Sequence, residues 1–339
     1  MSYCTAKSRI NSKNLVKTNK NSMGERVIDQ YQYLIGVDGG GTGTRVRLVQ
    51  VGGTEVGQGS AGPSGLMHGI ESAWQSILAA TRKAFFDAGL AMPPLREIAA
   101  GCGLAGIHNK QWATEFYVKN PGFGVLAIGT DAETTLLGAH QGAAGAIIAL
   151  GTGSAGEAML VDGTRREVGG WGFPSSDEAS GAWLGLRAIN HIQHVLDGRS
   201  PEDAFSAALL QACAGSDALT KAENETEHKS NRSNTESRDL IFNWLAKANQ
   251  TNYAQLAPVV IAHAPTTTSA GSITLAAGSE VAKMASALDP SELLPIALCG
   301  GLAEPMLPYL PLDLLSRIVK PKSDSAAGAL ILIQRQINY

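Results

Sequence analysis

Aromatic residues, charge and cysteine are all scarce in this sequence. Aromatics make up 6% of the 339 residues and charged residues 17%, and cysteine occurs at Cys4, Cys102, Cys213 and Cys299 alone. No Cys-x-x-Cys pair is present, which argues against a disulfide framework or a zinc site and fits a reducing cytoplasm. No apolar run has the length that a bilayer span requires; those at Ala143–Leu150 and Ala326–Ile333 read as core. The formal net charge is only -3, so nothing marks the chain for nucleic acid or an anionic membrane. Residues 1–31 carry Lys7, Arg9, Lys13, Lys17, Lys20 and Arg26 with no apolar periodicity and no secretory core. They are expected to be a disordered extension, with Met23 as an alternative start. A nucleic-acid tail is the functional alternative.

A device present twice stands against these absences. Tyr33–Asp38 reads as a buried strand, breaks into Gly39-Gly40-Gly41-Thr42-Gly43-Thr44 and resumes as Arg45–Val51; Ala146–Leu150 breaks into Gly151-Thr152-Gly153-Ser154 and resumes as Ala155–Val161. Glycine admits close backbone approach, and successive free amides with Thr/Ser hydroxyls make a concave anion site. A lone Gly-rich turn is usually a plain hairpin turn. Two of them can grip one polyphosphate, which points to a nucleotide-driven phosphotransferase.

The rest of the pattern alternates strand and helix. Glu55–Ser60 completes a first meander; helices are expected over Ile70–Ala88, Asn109–Tyr117 and from Thr130-Asp131 through His140, with strands at Glu97–Gly103 and Gly124–Gly129. In the second half, helices are expected over Glu178–Leu196, Leu240–Ala248, Ala254–Ala264, Ser272–Leu288 and Ser325–Ile337, and a strand over Leu294–Cys299. Residues 215–239 are polar and read as a solvated insertion.

Several short stretches recur in a recognisable order: Gly36-Val37-Asp38-Gly39-Gly40-Gly41-Thr42, Thr130-Asp131-Ala132, Gly151-Thr152-Gly153-Ser154, Val168-Gly169-Gly170-Trp171-Gly172, Ser176-Asp177-Glu178-Ala179-Ser180-Gly181, Cys299-Gly300-Gly301 and Pro321–Ala329. Together they resemble the BadF/BadG/BcrA/BcrD-type ATPase family of the actin-like and sugar-kinase superfamily, and within it the bacterial glucosamine and N-acetylglucosamine kinases. The resemblance implies an α/β fold of two duplicated actin-like (ribonuclease H-like) domains with a ligand cleft between them. It implies domains at 32–138 and 139–324, a C-terminal helix at 325–339 packing back on the first, a cytoplasmic enzyme, and a homodimer of the kind many relatives form. It also implies ATP with Mg²⁺ and an amino-sugar substrate phosphorylated on its 6-hydroxyl.

By that resemblance Asp38 holds Mg²⁺ through water, and Gly39, Gly40, Gly41, Thr42 and Thr44 face the phosphates from one side. Gly151, Thr152, Gly153 and Ser154 face them from the other, and Gly300 and Gly301 carry the nucleoside. Asp131 is the base for the sugar hydroxyl; on residue type alone it reads more readily as a helix N-cap. Thr130, Gly170, Trp171 and Asp177 contact the sugar, although a Trp is more often core and an Asp before a helix more often a cap. Relatives carry an Asn after the third strand where this chain has Ser64 and Gly65, which leaves the exact amino sugar open. His191 and His194 lack a third metal ligand and read as surface residues. Two other readings remain: an ATPase that activates a radical dehydratase, for which closely placed cysteines are missing, and a non-catalytic sugar sensor.

Overall fold

The computed structural model describes residues 30–215 and 233–338. Residues 1–29 of the stretch expected to be disordered, and 216–232 of the polar insertion, lie outside those described.

β1 (Tyr33–Gly39), β2 (Thr44–Gln50) and β3 (Glu55–Ala61) form an antiparallel meander. β1 is buried along most of its length, whereas β2 buries Val46 and Leu48 and turns Arg45 outward, the alternation of a sheet with one covered face. Helix α1 (Ile70–Asp87) buries Ala73, Trp74, Ile77, Ala80, Ala84 and Phe85 along one stripe and leads to β4 (Ile98–Leu104), parallel to β1. Helix α2 (Lys110–Val118), capped by the Asn109 side chain, leads to β5 (Val125–Thr130), parallel to β4. The sheet order is β3-β2-β1-β4-β5. Helix α3 (Asp131–His140) leaves its last strand.

The second half repeats this plan. β6 (Gly145–Leu150), β7 (Ser154–Met159) and β8 (Arg165–Gly169) form a meander, and β9 (Ile296–Cys299) and β10 (Ile318–Val319) add in parallel, giving β10-β9-β6-β7-β8. Position for position this is the first sheet's order, as the duplicated turns implied. Strand β8 was not expected from the sequence; its Arg-Arg-Glu run carries no apolar alternation. Between β8 and β9 lie α4 (Gly181–Leu196), α5 (Ala204–Ala214), α6 (Asn234–Leu245), α7 (Gln250–Ala254), α8 (Ala257–His263) and α9 (Thr268–Leu288). The last part of the expected polar insertion is helical instead, because Ser233 and Glu236 form a reciprocal capping box. The single helix expected over Ala254–Ala264 is two short ones, the first started by an Asn249 capping box. α4 starts later than expected, at Ser180, whose hydroxyl accepts the Trp183 amide.

The final helix, α10 (Ser325–Ile337), lies against β1 and β4. Gly36 and Gly101 are paired across those strands, and a Cβ there would lie 2.0 Å from the Ala326 carbonyl oxygen and 1.9 Å from the Ala329 carbonyl oxygen. Glycine is therefore required by the helix, not by the turn that follows. Asp324 caps α10 through the Ala327 amide and accepts a bidentate pair from Arg47 of β2, both contacts at 2.9 Å. Burial opposes ionisation of Asp324, but the Arg47 guanidinium prevails and holds its carboxyl below the usual range.

Helix α3 bridges the halves. Leu136 and Ala139 pack with Ile147 of β6 and Ala297 of β9. Its last residue, His140, is buried, with Nε2 2.8 Å from the Ala146 carbonyl oxygen. Burial, reinforced by the Lys322 charge, depresses the imidazole below its ordinary 6.5. The unfolded chain takes up a proton near 6.5 while the folded chain resists it. Stability from this site is therefore complete above that value and is lost as pH falls below it. Urea midpoints are expected to drop between pH 7.5 and 5.5, and to drop less in His140→Gln; equal losses would remove His140 as the source.

Candidate active site

Strand register sets out the first half of the site. Gly39 of β1 pairs with Leu104 of β4, and Leu104 with Thr130 of β5. The Gly turn and the start of α3 thus lie at one sheet edge, two strand spacings or about 10 Å apart. The turn is closed by Gly40 N–H donating to the Gly43 carbonyl at 3.0 Å. It is stitched to the next loop by the Ser64 and Gly65 amides, which donate to the Gly40 carbonyl at 3.1 and 2.9 Å. The amides of Gly41, Thr42 and Gly43 have no hydrogen-bond partner among the described residues, the condition for an anion-binding nest.

Two expectations for this turn are corrected. Thr44 is buried, and its hydroxyl donates to the Gly62 carbonyl at 2.6 Å and lies in hydrogen-bond contact with Ser64 Oγ at 2.7 Å. Ser64 is fully buried and packs against Gly39. Both side chains brace the loops from inside instead of facing phosphate or sugar. Gly65 is buried as well, its Cα close to Gly40. His68, by contrast, is exposed beside Gly41.

Asp38 pairs with Arg45, its cross-strand partner, through Nε at 3.0 Å and Nη2 at 2.5 Å. Arg45 is 64% exposed, so the pair stands open to solvent. Among the described residues no group of three or more His, Cys, Asp or Glu could hold a metal. A Mg²⁺ that enters on nucleotide phosphates, keeping its waters, asks for one or two carboxylates, and Asp38 at the lip of the turn fits that lesser demand.

Asp131 is exposed at the first turn of α3. The capping reading is overturned here: Thr130 is the N-cap, its hydroxyl accepting the Glu133 amide at 2.9 Å. The Asp131 carboxylate accepts only from the adjacent Ala132 amide, at 3.0 Å. Two residues on, Glu133 pairs with Arg165 of β8, which also pairs with the buried Glu157, so the second half anchors the first turn of α3.

In the second half, the Gly151–Ser154 turn sits on the N-terminus of α4. The Gly151 and Thr152 carbonyls accept the Gly181 and Ala182 amides at 2.8 and 3.2 Å, and the Thr152 and Gly153 amides have no partner. Ser154 is a third correction: it is buried, and its hydroxyl donates to the Glu178 carbonyl at 2.6 Å. It ties the turn to the loop before α4 and does not face phosphate. Asp177 in that loop is buried and is not the helix cap, a role that falls to Ser180. Its Oδ2 accepts from Gln250 of α7 at 2.7 Å.

Trp171 is 84% exposed, between Gly170 and Gly172, both at positive φ; it is not core. Gly300, at φ +91°, leaves no room for a Cβ beside the Leu150 carbonyl oxygen, 2.4 Å away. Packing on β6 thus accounts for that glycine, while Gly301 is open to solvent. Cys102 is buried in the core, and burial pushes the Cys299 thiol up to about 11. His191 stacks on Phe205 and faces Asp203 at 3.4 Å. Sequence reading missed Gln250 and Arg45. Gln250 lies 73 residues from Asp177 and carries no local signal; Arg45 was visible in the outward face of β2.

A sequence model of the BadF/BadG/BcrA/BcrD ATPase family matches residues 35–332. A glucosamine kinase from Vibrio cholerae is 31% identical over 303 residues, covering 88% of this chain and 95% of that one. An N-acetylmuramic acid/N-acetylglucosamine kinase from Clostridium acetobutylicum is 27% identical over 183 residues, or 53% of this chain and 59% of that one. A solved structure from Chromobacterium violaceum, assigned as an N-acetylglucosamine kinase, is 44% identical with a TM-score of 0.78 and covers 90% of this chain and 100% of that one.

Proposed function

From the membership of this chain in the BadF/BadG/BcrA/BcrD ATPase family, we propose that it transfers the γ-phosphoryl group of ATP to the 6-hydroxyl of glucosamine or N-acetylglucosamine. The reading draws on amino-sugar kinases among its relatives. The observation that carries it is the placement of Asp131: an exposed carboxylate, relieved of capping by Thr130, at the same sheet edge as a Gly turn with three free amides.

Phosphoryl transfer needs positioned phosphates, an oriented acceptor and exclusion of water. The free amides of Gly41, Thr42 and Gly43 hold phosphate oxygens from one half, and those of Thr152 and Gly153 from the other. Asp131 accepts the 6-hydroxyl proton as that oxygen attacks γ-phosphorus; the bond to the β,γ-bridging oxygen breaks and ADP leaves. Asp38 would be the residue to hold Mg²⁺, whose charge would ease the negative charge on the phosphates. Asp177 and the exposed Trp171 bind the sugar, and the Gly169–Gly172 segment lets Trp171 close over it.

The test is ADP release with Mg²⁺–ATP against glucosamine, N-acetylglucosamine, glucose and N-acetylmannosamine. A sugar-dependent rate with one of the two glucosamine sugars preferred is expected. Slow hydrolysis independent of any sugar would overturn the kinase reading in favour of an ATPase or a sensor. Asp177→Ala is expected to raise the sugar KM and to leave nucleotide affinity alone.

A further inference from the structure

We propose that Gln250 is a positioning residue for the sugar: it holds one oxygen of Asp177 so that the other stays available to a sugar hydroxyl. The inference rests on Asp177 as a sugar ligand and goes one residue beyond it.

Asp177 is 4% exposed and sits in the left-handed region at φ +65°. Such backbone persists only where its surroundings fix it. A buried carboxylate also needs partners for its charge, yet no cation pairs with it. Gln250 Nε2 donates to Oδ2 at 2.7 Å, and Oδ1 has no hydrogen-bond partner although no buried side-chain oxygen in the described residues is left unsatisfied. Oδ1 is therefore not fully enclosed. A carboxylate with one oxygen tied and one open accepts a hydroxyl in a defined direction, whereas a freely rotating one does not.

The neighbours restrict the pair further. A Cβ on Gly153 would lie 2.7 Å from Asp177 Oδ2 and 3.3 Å from Gln250 Nε2. The amide and the carboxylate thus pack against the second Gly turn, and that glycine leaves them room. The ends of the arrangement are anchored separately, Gln250 at the first position of α7 after the Asn249 capping box and Asp177 just ahead of the Ser180 cap. Gln250 itself is half-buried, and its removal leaves both caps in place.

Gln250→Leu removes the donor and keeps most of the volume; Gln250→Glu keeps the shape and sets a like charge against Asp177. The sugar KM, kcat and the nucleotide Kd are measured for both, for Asp177→Ala and for the wild type, with urea midpoints to confirm folding. The expected result is a sugar KM raised roughly tenfold in Gln250→Leu and further in Gln250→Glu, with nucleotide Kd unchanged. If Asp177→Ala raises the sugar KM and Gln250→Leu does not, the positioning role is overturned and the sugar reading of Asp177 survives. If Asp177→Ala itself leaves the sugar KM unchanged, the reading beneath the inference fails. A change confined to nucleotide Kd would assign the pair to the phosphate turn and overturn the proposal. Should Gln250→Leu not fold, the isosteric Gln250→Glu variant decides the matter alone.

Discussion

Asp131→Asn is expected to lower kcat by about 10²–10⁴-fold, the range that general base catalysis supplies. The substitution keeps the size of the side chain and removes its capacity to accept the hydroxyl proton. Structure should be unaffected, because Thr130, not Asp131, caps α3. The Asp131 carboxylate makes one bond, to its neighbour's amide, and surface positions of this kind move stability by about 0.5 kcal/mol or less. Nucleotide binding should persist, since the free amides of both Gly turns are untouched. Single-turnover kinetics with titration of a fluorescent ATP analogue separate the two quantities. Turnover near wild type would remove Asp131 as the base; loss of nucleotide binding with intact folding would make it a phosphate or metal residue instead.

Gly328→Val is expected to cost about 3 kcal/mol or more, beyond the usual range for overpacking, and to lower kcat as well. A Cβ at 328 would lie 1.7 Å from the Thr134 carbonyl oxygen and 2.6 Å from the Gly138 amide nitrogen, and one at Gly138 would lie 2.0 Å from the Asp324 carbonyl oxygen. These are backbone atoms on both sides, so no rotamer change relieves the clash; α10 and α3 must separate. Beside the crossing, Thr134 and Ser325 share a hydrogen bond of 2.7 Å, which separation would break. Because α3 starts at Asp131, any shift carries the carboxylate with it. Gly53→Ala is the control: its nearest neighbour is 3.4 Å away, and urea midpoint and kcat should both stay at wild-type values. A Gly328→Val protein with unchanged midpoint would show that the helices can part without loss.

What could be read in the sequence follows from the range of each signal. The two Gly turns, the meanders around them and the register of motifs along the chain are local patterns of a few residues, and the structure has them. The N-cap at 130–131 was not decidable, because Thr and Asp are both good caps and adjacent; φ and ψ at Thr130 choose it. Thr44 and Ser154 beside the Gly turns, and Ser64 where relatives carry a sugar-contacting Asn, read as ligand contacts. Their side chains point inward, and only packing against Gly62, Gly39 and the Glu178 carbonyl reveals it. Trp171 is the opposite case: its bulk alone reads as core, and only the loop that holds it in solvent rules that out.

The sequence by itself determined the duplicated α/β plan, since hydrophobic periodicity and turn chemistry act over neighbouring residues. It also determined that Asp38 would stand just before a Gly turn and that Asp131 and Asp177 would stand at or just before a helix start. Tertiary structure alone decided what those carboxylates are free to do. Arg45 occupies Asp38, Thr130 relieves Asp131, and Gln250 takes one oxygen of Asp177. A hydrogen bond depends on distance in space, and the partner of Asp177 is 73 residues away along the chain. Composition and spacing do not encode that separation; the packing of α7 against α4 does.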